Sequence, residues 1–438
     1  MISASVFLRQ LALIALPAGL LLSGCGNDSN PRPGAGDDHA HHGRLILADN
    51  NAHAYVYDLD QRALFAPLHL DYPAHSLHAS PGKRFAVITQ RATGANPHQV
   101  QFIDSGLFVH GDHIDVLDPS VANLTLSGEA PAHYRTVENR AVENRAIENQ
   151  AALFFDGASA GQRFVLFTDS SLAAGNIVAA ESTPAAHHGI AEPRGEYVLV
   201  STADRERVAV FGLHHDHFHL EETLPEPCPD LHGGASLENH AAFGCDDGVL
   251  LVHQDGGAFT ASKIITPLRI TQLAGHPAMN EFVVFAAGNQ AIYAVDPISG
   301  IVEEIDWSAS TSTAHTRHLI DATGAHLLVL DDAGTVHILA TDDWSHQGSI
   351  PVLQNGTGAH MVASASDARA YLLEPAEQIV RVLDITQRTL LDDDQITLDF
   401  SPVGLAWAGI SSAAAEALSP HHDHDHQPGH QHDHQHSR

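Results

Sequence analysis

Short apolar runs, alternating or unbroken, recur along most of the chain and are separated by Gly, Pro and Asp. The clearest are residues 84–89 (RFAVIT), 196–201 (EYVLVS), 249–253 (VLLVH), 281–286 (EFVVFA), 326–330 (HLLVL) and 370–373 (AYLL). Runs of this length between turn residues predict buried strands, and helical periodicity is nearly absent. Each strong run follows a weaker strand and a tight turn. Most precede a third strand that ends in a polar turn, as at 291–296 (AIYAVD), 334–340 (GTVHILA) and 378–384 (QIVRVLD).

Aligning the turns places repeat starts near His75, His133, His187, His232, Thr271, Arg317, His360 and Val403, at intervals of 39 to 58 residues. Strand-only repeats of this period predict an all-β fold, a β-propeller. The last start, Val403 to Trp407, supplies one strand and stops. Its missing strands stand at the other end of the chain, at 44–48 (RLILA) and 54–58 (AYVYD). A ring closed by joining N- and C-terminal strands leaves no open sheet edge. The expectation is eight blades, one of them composite, over residues 43–410. Seven is the alternative, because insertions lengthen the two early intervals. One insertion, residues 136–151, repeats Val-Glu-Asn-Arg-Ala in tandem and reads as an extended hairpin or loop with no assigned chemistry.

Composition then adds chemistry. The 438 residues carry 53 acidic and 21 basic side chains, a formal charge of −32. That excludes a nucleic-acid partner, which needs a basic face, and it suits cations. Histidine is the outlier, with 35 residues. Imidazole is the commonest protein metal ligand, so metal handling is the first function class raised.

The N-terminus bears on location. Arg9 precedes an apolar run from Leu11 to Leu22, too short for a comfortable membrane span, and Leu22-Ser23-Gly24-Cys25 follows. This reads as a lipoprotein signal peptide over residues 1–24 with lipidation at Cys25. Residues 25–42 then form a flexible tether in the periplasm, and Gly26 after the cysteine favours the outer membrane. Contact with the membrane would be through the lipid anchor only. Two other cysteines remain, Cys228 and Cys245. In an oxidising compartment the pair forms one disulfide, the alternative being two buried thiols.

Five of the eight repeat starts carry histidine. In a propeller the innermost strand of each blade lines the channel, so residues in the same phase meet around one mouth. His75, His133, His187, His188, His232, His318 and His360 are therefore candidate zinc ligands, since zinc takes imidazole nitrogen and carboxylate oxygen, usually in fours. A hydrated polar pore is the bland alternative. A second cluster, His110-Gly-Asp112-His113-Ile-Asp115, offers four donors within six residues. The C-terminal stretch 411–438 has nothing to pack and predicts a disordered tail. Its His421, His422, His424, His426, His430, His432, His434 and His436, with His39, His41 and His42 in the tether, would capture metal weakly and release it fast. No catalytic motif of the common hydrolase, metalloprotease or phosphate-binding kinds is present.

Several stretches together resemble the AztD family of periplasmic zinc metallochaperones. They are Gly43-Arg-Leu-Ile-Leu-Ala-Asp49, His110-Gly-Asp-His113, Ala132-His-Tyr134, Leu153-Phe-Phe-Asp-Gly157, Ala186-His-His-Gly-Ile190, Leu231-His-Gly-Gly234 and Ala242-Phe-Gly-Cys-Asp-Asp-Gly248. The likeness spans roughly residues 39 to 410, and the order of the stretches is its specific part. It implies a non-enzymatic β-propeller that holds Zn2+ and passes it to the solute-binding protein of a zinc ABC importer. The long histidine run lies at the C-terminus here, a departure from the family pattern. Two other classes compete: a lactonase-like propeller hydrolase using a channel metal, and a scaffold whose histidines only buffer metal.

Overall fold

A computed structural model describes residues 43–91, 97–137, 148–157, 164–182, 187–288, 291–309 and 313–418. Within them eight antiparallel sheets follow one another, each of four or five strands. The innermost strands are Pro402–Ala408 (blade 1), Ser76–Ala79 (blade 2), Pro131–Val137 (blade 3) and Ala191–Arg194 (blade 4). Those of blades 5 to 8 are His232–Ser236, Ile270–Ala274, His315–Ile320 and His360–Ala363. This is the eight-bladed propeller, and the seven-bladed alternative is excluded. Ring closure is as expected. Pro402–Ala408 pairs with Arg44–Asp49 in register from Arg44↔Ala408 to Ala48↔Gly404, and Arg44–Asp49 pairs with His53–Asp58.

The unbroken apolar runs have a simple cause. In the second strand of a blade, alternate side chains enter two different inter-blade cores, so both faces are dry. Leu45 and Leu47 pack with Tyr371 and Leu373 of blade 8, whereas Ile46 and Ala48 pack with Leu77, Ala86 and Ile88 of blade 2. All six residues of Arg44–Asp49 are buried. The buried charge at its start is matched: Arg44 Nε donates to Asp58 Oδ2 at 3.1 Å, and its Nη1 donates to the carbonyls of Ser105 and Leu117. Those carbonyls frame a two-stranded hairpin, Leu107–His110 and His113–Val116, that protrudes from blade 2.

Two sequence readings are adjusted, and two others fall wholly or mostly outside the described residues. The run at 249–253 is the third strand of blade 5, Gly248–Asp255. The second is His240–Cys245 (HAAFGC), whose small residues hid it. The chain continues in order past residue 411, with a helix over Ser412–Leu418 (SAAAEAL), because alanine and leucine favour helix. Of the repeat insertion, only its flanks are described, with Val137 paired to Gln150 at the base. The signal peptide, Cys25, the tether histidines His39, His41 and His42, and the tail histidines 421–436 lie outside the described residues.

Cys228 and Cys245 are joined as a disulfide, with Cα atoms 5.0 Å apart and a sequence separation of 17. Both cysteines are fully buried. The bridge ties the segment just before His232 to the end of the adjacent strand. Closing a loop of this size stabilises by about 3 kcal/mol on loop-entropy grounds.

Candidate metal centre

The first strand of every blade begins at one face of the ring. At that face the innermost strands of blades 3 and 5 each carry a β-bulge. In blade 3 the register slips between Pro131 and Tyr134, and in blade 5 between His232 and Gly234. A bulge re-aims side chains at a strand end. The blade 5 bulge is possible because Gly233 takes φ +71°. His133 sits inside the first bulge and His232 at the edge of the second. His188 arrives between them, three residues ahead of the Ala191–Arg194 strand.

Three imidazoles from consecutive blades thus converge. The ring centroids of His133 and His188 are 4.5 Å apart, those of His188 and His232 5.1 Å, and those of His133 and His232 5.6 Å. His133 Nε2 and His188 Nε2 are 3.0 Å apart. One potential ligand atom from each ring lies within 4.8 Å of the other two.

The surroundings orient these rings. His188 Nδ1–H donates to Asp156 Oδ2 at 2.7 Å, which leaves Nε2 to bind metal. Asp156 follows the second strand of blade 3, Gln150–Phe155, and its other oxygen accepts from the Gly189 backbone at 3.3 Å. His232 Nδ1–H donates to the Thr271 carbonyl of blade 6 at 2.8 Å, which again frees Nε2. Carboxylate and carbonyl partners of this kind fix the tautomer and aim of metal-binding histidines. His133 is held well below its ordinary pKa, at about 4, first by burial and then by the neighbouring His188. It is therefore neutral at pH 7 and able to ligate. His188 is the open edge of the group, with its side chain 42% exposed.

Replacing Asp156 by Asn should weaken metal binding 10- to 100-fold without unfolding the protein, the usual cost of losing such a partner. Competition against a chelating dye measures it. An unchanged affinity would show that Asp156 does not position His188.

The other channel histidines do not join. His187 faces away, its Nε2 3.2 Å from the Ser201 carbonyl and its ring 5.1 Å from that of Phe154. His75 stays at the start of blade 2, where its backbone N–H donates to the Thr89 carbonyl. His318 and His360 line a cavity of about 1480 Å3 toward the opposite face, together with His78, Tyr134, Arg135 and Arg194. His318 is stacked on Phe285 at 3.7 Å. An eight-bladed channel is wide, so equal repeat phase brings together only neighbouring blades. The cavity is also unsuited to a cation. The Arg317 guanidinium lies near both His318 and His360. The same guanidinium would repel a divalent ion.

The second sequence cluster forms a group with one change of member. His110 and His113 face each other across the hairpin, and Asp115 is the carboxylate beside them. Asp115 Oδ2 is 3.2 Å from His110 Nδ1, and its Oδ1 is 3.5 Å from His113 Nε2. Asp112 is the residue sequence reading picked, but it sits at the turn and reaches only His113 Nδ1. Asp115 is two residues beyond His113 on the same strand, hence on the same face. Among the described residues, this trio and the His133–His188–His232 group are the sets whose potential ligand atoms all lie within 4.8 Å.

Sequence and fold comparisons agree on one relative. The zinc chaperone AztD of Citrobacter koseri is 24% identical over 405 residues, covering 87% of this chain and 89% of that protein. In sequence and in fold the chain is similar to AztD. Two solved structures of Citrobacter koseri AztD, one of them apo, align with TM-scores of 0.67 and 0.68 at 23% and 22% identity. Each covers 84% of this chain and 98% of the AztD chain. The dihydro-heme d1 dehydrogenase NirN aligns at TM-score 0.58 and 12% identity, over 90% of this chain and 79% of its own, which is likeness of fold alone. No protein-family model matches the chain. The AztD likeness covers most of the chain, and the relative it names is a chaperone rather than an enzyme.

Sequence reasoning missed Asp156 and the Thr271 carbonyl. Asp156 was visible inside Leu153-Phe-Phe-Asp-Gly157, where an acid follows a strand that ends at the histidine face. The Thr271 contact crosses between blades and has no sequence signal.

Proposed function

We propose that this protein is a periplasmic zinc chaperone that binds Zn2+ through His133, His188 and His232 and hands it to the solute-binding protein of a zinc ABC importer. The observation that carries the reading is the three-imidazole group with two ring tautomers fixed by Asp156 and Thr271. Three imidazole nitrogens and an open side suit zinc, which accepts a fourth ligand. Exposure of His188 gives a receiving protein a route to that fourth position, so zinc can pass by ligand exchange. The name of the Citrobacter koseri relative supports the same cargo. On this reading the lipid at Cys25 holds the chaperone to the membrane, and the histidines of tether and tail gather metal for the mouth.

A hydrolase would use the open position for water and would need a free base beside it. Asp156, the carboxylate at the group, is instead bound to His188. The chaperone reading is therefore preferred.

The test is direct transfer. Zinc-loaded protein is mixed with an apo periplasmic zinc-binding receptor in excess chelator that intercepts free ions. Transfer is expected to exceed that from a zinc–chelator control and to need contact. If the receptor fills only at the rate set by free zinc, the protein is a buffer and not a chaperone.

A further inference from the structure

A second histidine hairpin stands on blade 4, outside the mouth and outside every motif the sequence reading used. Its strands are Val208–His214 and His217–Thr223, joined by the two-residue turn His215-Asp216. His214 pairs with His217 across the ladder, and His219 and Glu221 follow at alternate positions. One face of the hairpin therefore carries His214, His217, His219 and Glu221, while Phe218 points into the core from the other face. We propose that this face is a separate, exchangeable binding site for a divalent transition metal.

The donors meet as two close pairs, His217 with His219 and His214 with Glu221, which a bound ion would draw together; unlike the mouth group they do not already share one centre. His217 Nε2 and His219 Nε2 are 3.0 Å apart, the same separation as between His133 and His188 at the mouth. The His219 ring lies 4.8 Å from both His214 and His217. Glu221 Oε1 is 2.9 Å from His214 Nε2. Two backbone features bring that carboxylate in. The ladder slips at Glu221, between the pairs Phe211↔Leu220 and Val210↔Glu222, so Glu221 is a bulge residue. Across from it stands Gly212, where an added Cβ would lie 2.6 Å from Glu221 Oε1. The missing side chain at Gly212, the partner of His219, leaves the space the carboxylate occupies on its way to His214. Asp216 supports the set by accepting from His217 Nδ1–H at 3.1 Å, which directs Nε2 toward His219.

Three imidazoles and one carboxylate are the donor set of zinc, nickel and copper rather than of calcium or magnesium. His214 and His217 are 52% and 53% exposed, so the ion would exchange quickly with solvent. Strand alternation puts this third-to-fourth-strand turn on the face opposite the mouth. The His110–His113–Asp115 hairpin leaves blade 2 between its third and fourth strands, on that same face. Both turns share the wording His-x-Asp-His, at His110–His113 and His214–His217. The blade 4 site does not depend on the mouth group.

The experiment uses the full chain with Zn2+ as probe. Carbethoxylation of each histidine is followed by mass spectrometry as zinc is added, and zinc stoichiometry is measured by equilibrium dialysis. Zinc is expected to protect His217 and His219 in the wild type and equally in H188A/H232A. H217A/H219A is expected to lose one equivalent of zinc while keeping the tightest site. Full reactivity of His217 and His219 at saturating zinc, or an unchanged stoichiometry in H217A/H219A, overturns the proposal. Unchanged tight binding in H188A/H232A would instead overturn the mouth site and leave this one standing.

Discussion

Replacing His188 and His232 together by alanine is expected to abolish tight zinc binding while the propeller stays folded. The two rings come from different blades, and each is oriented by its own partner, Asp156 and the Thr271 carbonyl. Their removal leaves His133 as the single imidazole of the group. One imidazole cannot hold zinc against solvent and a chelator, so the affinity should fall by more than the 10- to 100-fold typical of losing an orienting partner. Folding is protected for a separate reason. Neither ring belongs to an inter-blade core, and Cys228–Cys245 still pins the loop ahead of residue 232. Zinc competition with a chelating dye near neutral pH, beside circular dichroism of both proteins, decides the matter. Native circular dichroism with unchanged affinity would reject the mouth site and favour the scaffold reading.

The ring and its closure were legible because propeller strands report on both faces at once. Residues 44–48 and 54–58 looked like strands without a blade, and residues 403–407 like a blade without strands. Apolar pattern alone joined them. Strand identity failed where the core is built of small residues, as in His240–Cys245, because alanine and glycine carry no strand signal. The candidate site was half legible. Repeat phase selected the strand ends at one face, so His133, His188 and His232, which the structure brings together, were among the residues named. It could not separate His188 from His187. These neighbours differ only in which way the chain turns before blade 4, and Gly189 with Ser201 settles that. Nor could phase exclude His318 and His360, because it carries nothing about their charged neighbours, Arg317 on the strand of His318 itself and Arg135 from blade 3. The Asp112 choice failed for a local reason: proximity in sequence favoured the turn residue, whereas the pleat favours the residue two beyond His113.

The blade 4 hairpin escaped notice for the opposite reason. Its histidines do not share the repeat phase that drew attention to the channel. The signal was the recurrence of His-x-Asp-His at two hairpin turns, one joining the third and fourth strands of blade 4 and one at the tip of the hairpin inserted between those strands of blade 2, which can be found only once the blades are numbered. Recurrence at turns of different blades also changes how the histidine excess is understood. The donors are distributed over both faces of the ring, with fixed tautomers at the mouth and exposed, loosely held rings on the far side.

Acid should destabilise the metal-free protein, and the channel histidines supply much of the effect. His78 and His360 are held at about 4 and His318 at about 3, in each case first by burial. The unfolded chain titrates these rings near 6.5. Between that value and the folded ones the unfolded state binds more protons, so stability is full above about pH 6.5 and is lost as pH falls toward 4. Each of the three residues is only half-buried, which discounts the shifts, and each group then contributes on the order of 1 kcal/mol by pH 5. Together they should lower the melting temperature by roughly 5 °C between about pH 7.5 and 5. Replacing His78 and His360 by Gln removes two of the three titrating groups, so that variant should lose clearly less of its melting temperature over the same interval. Thermal unfolding by circular dichroism in excess chelator reads both curves. Parallel curves for wild type and variant would mean that these rings protonate within the folded channel, and that it is wetter than their burial implies.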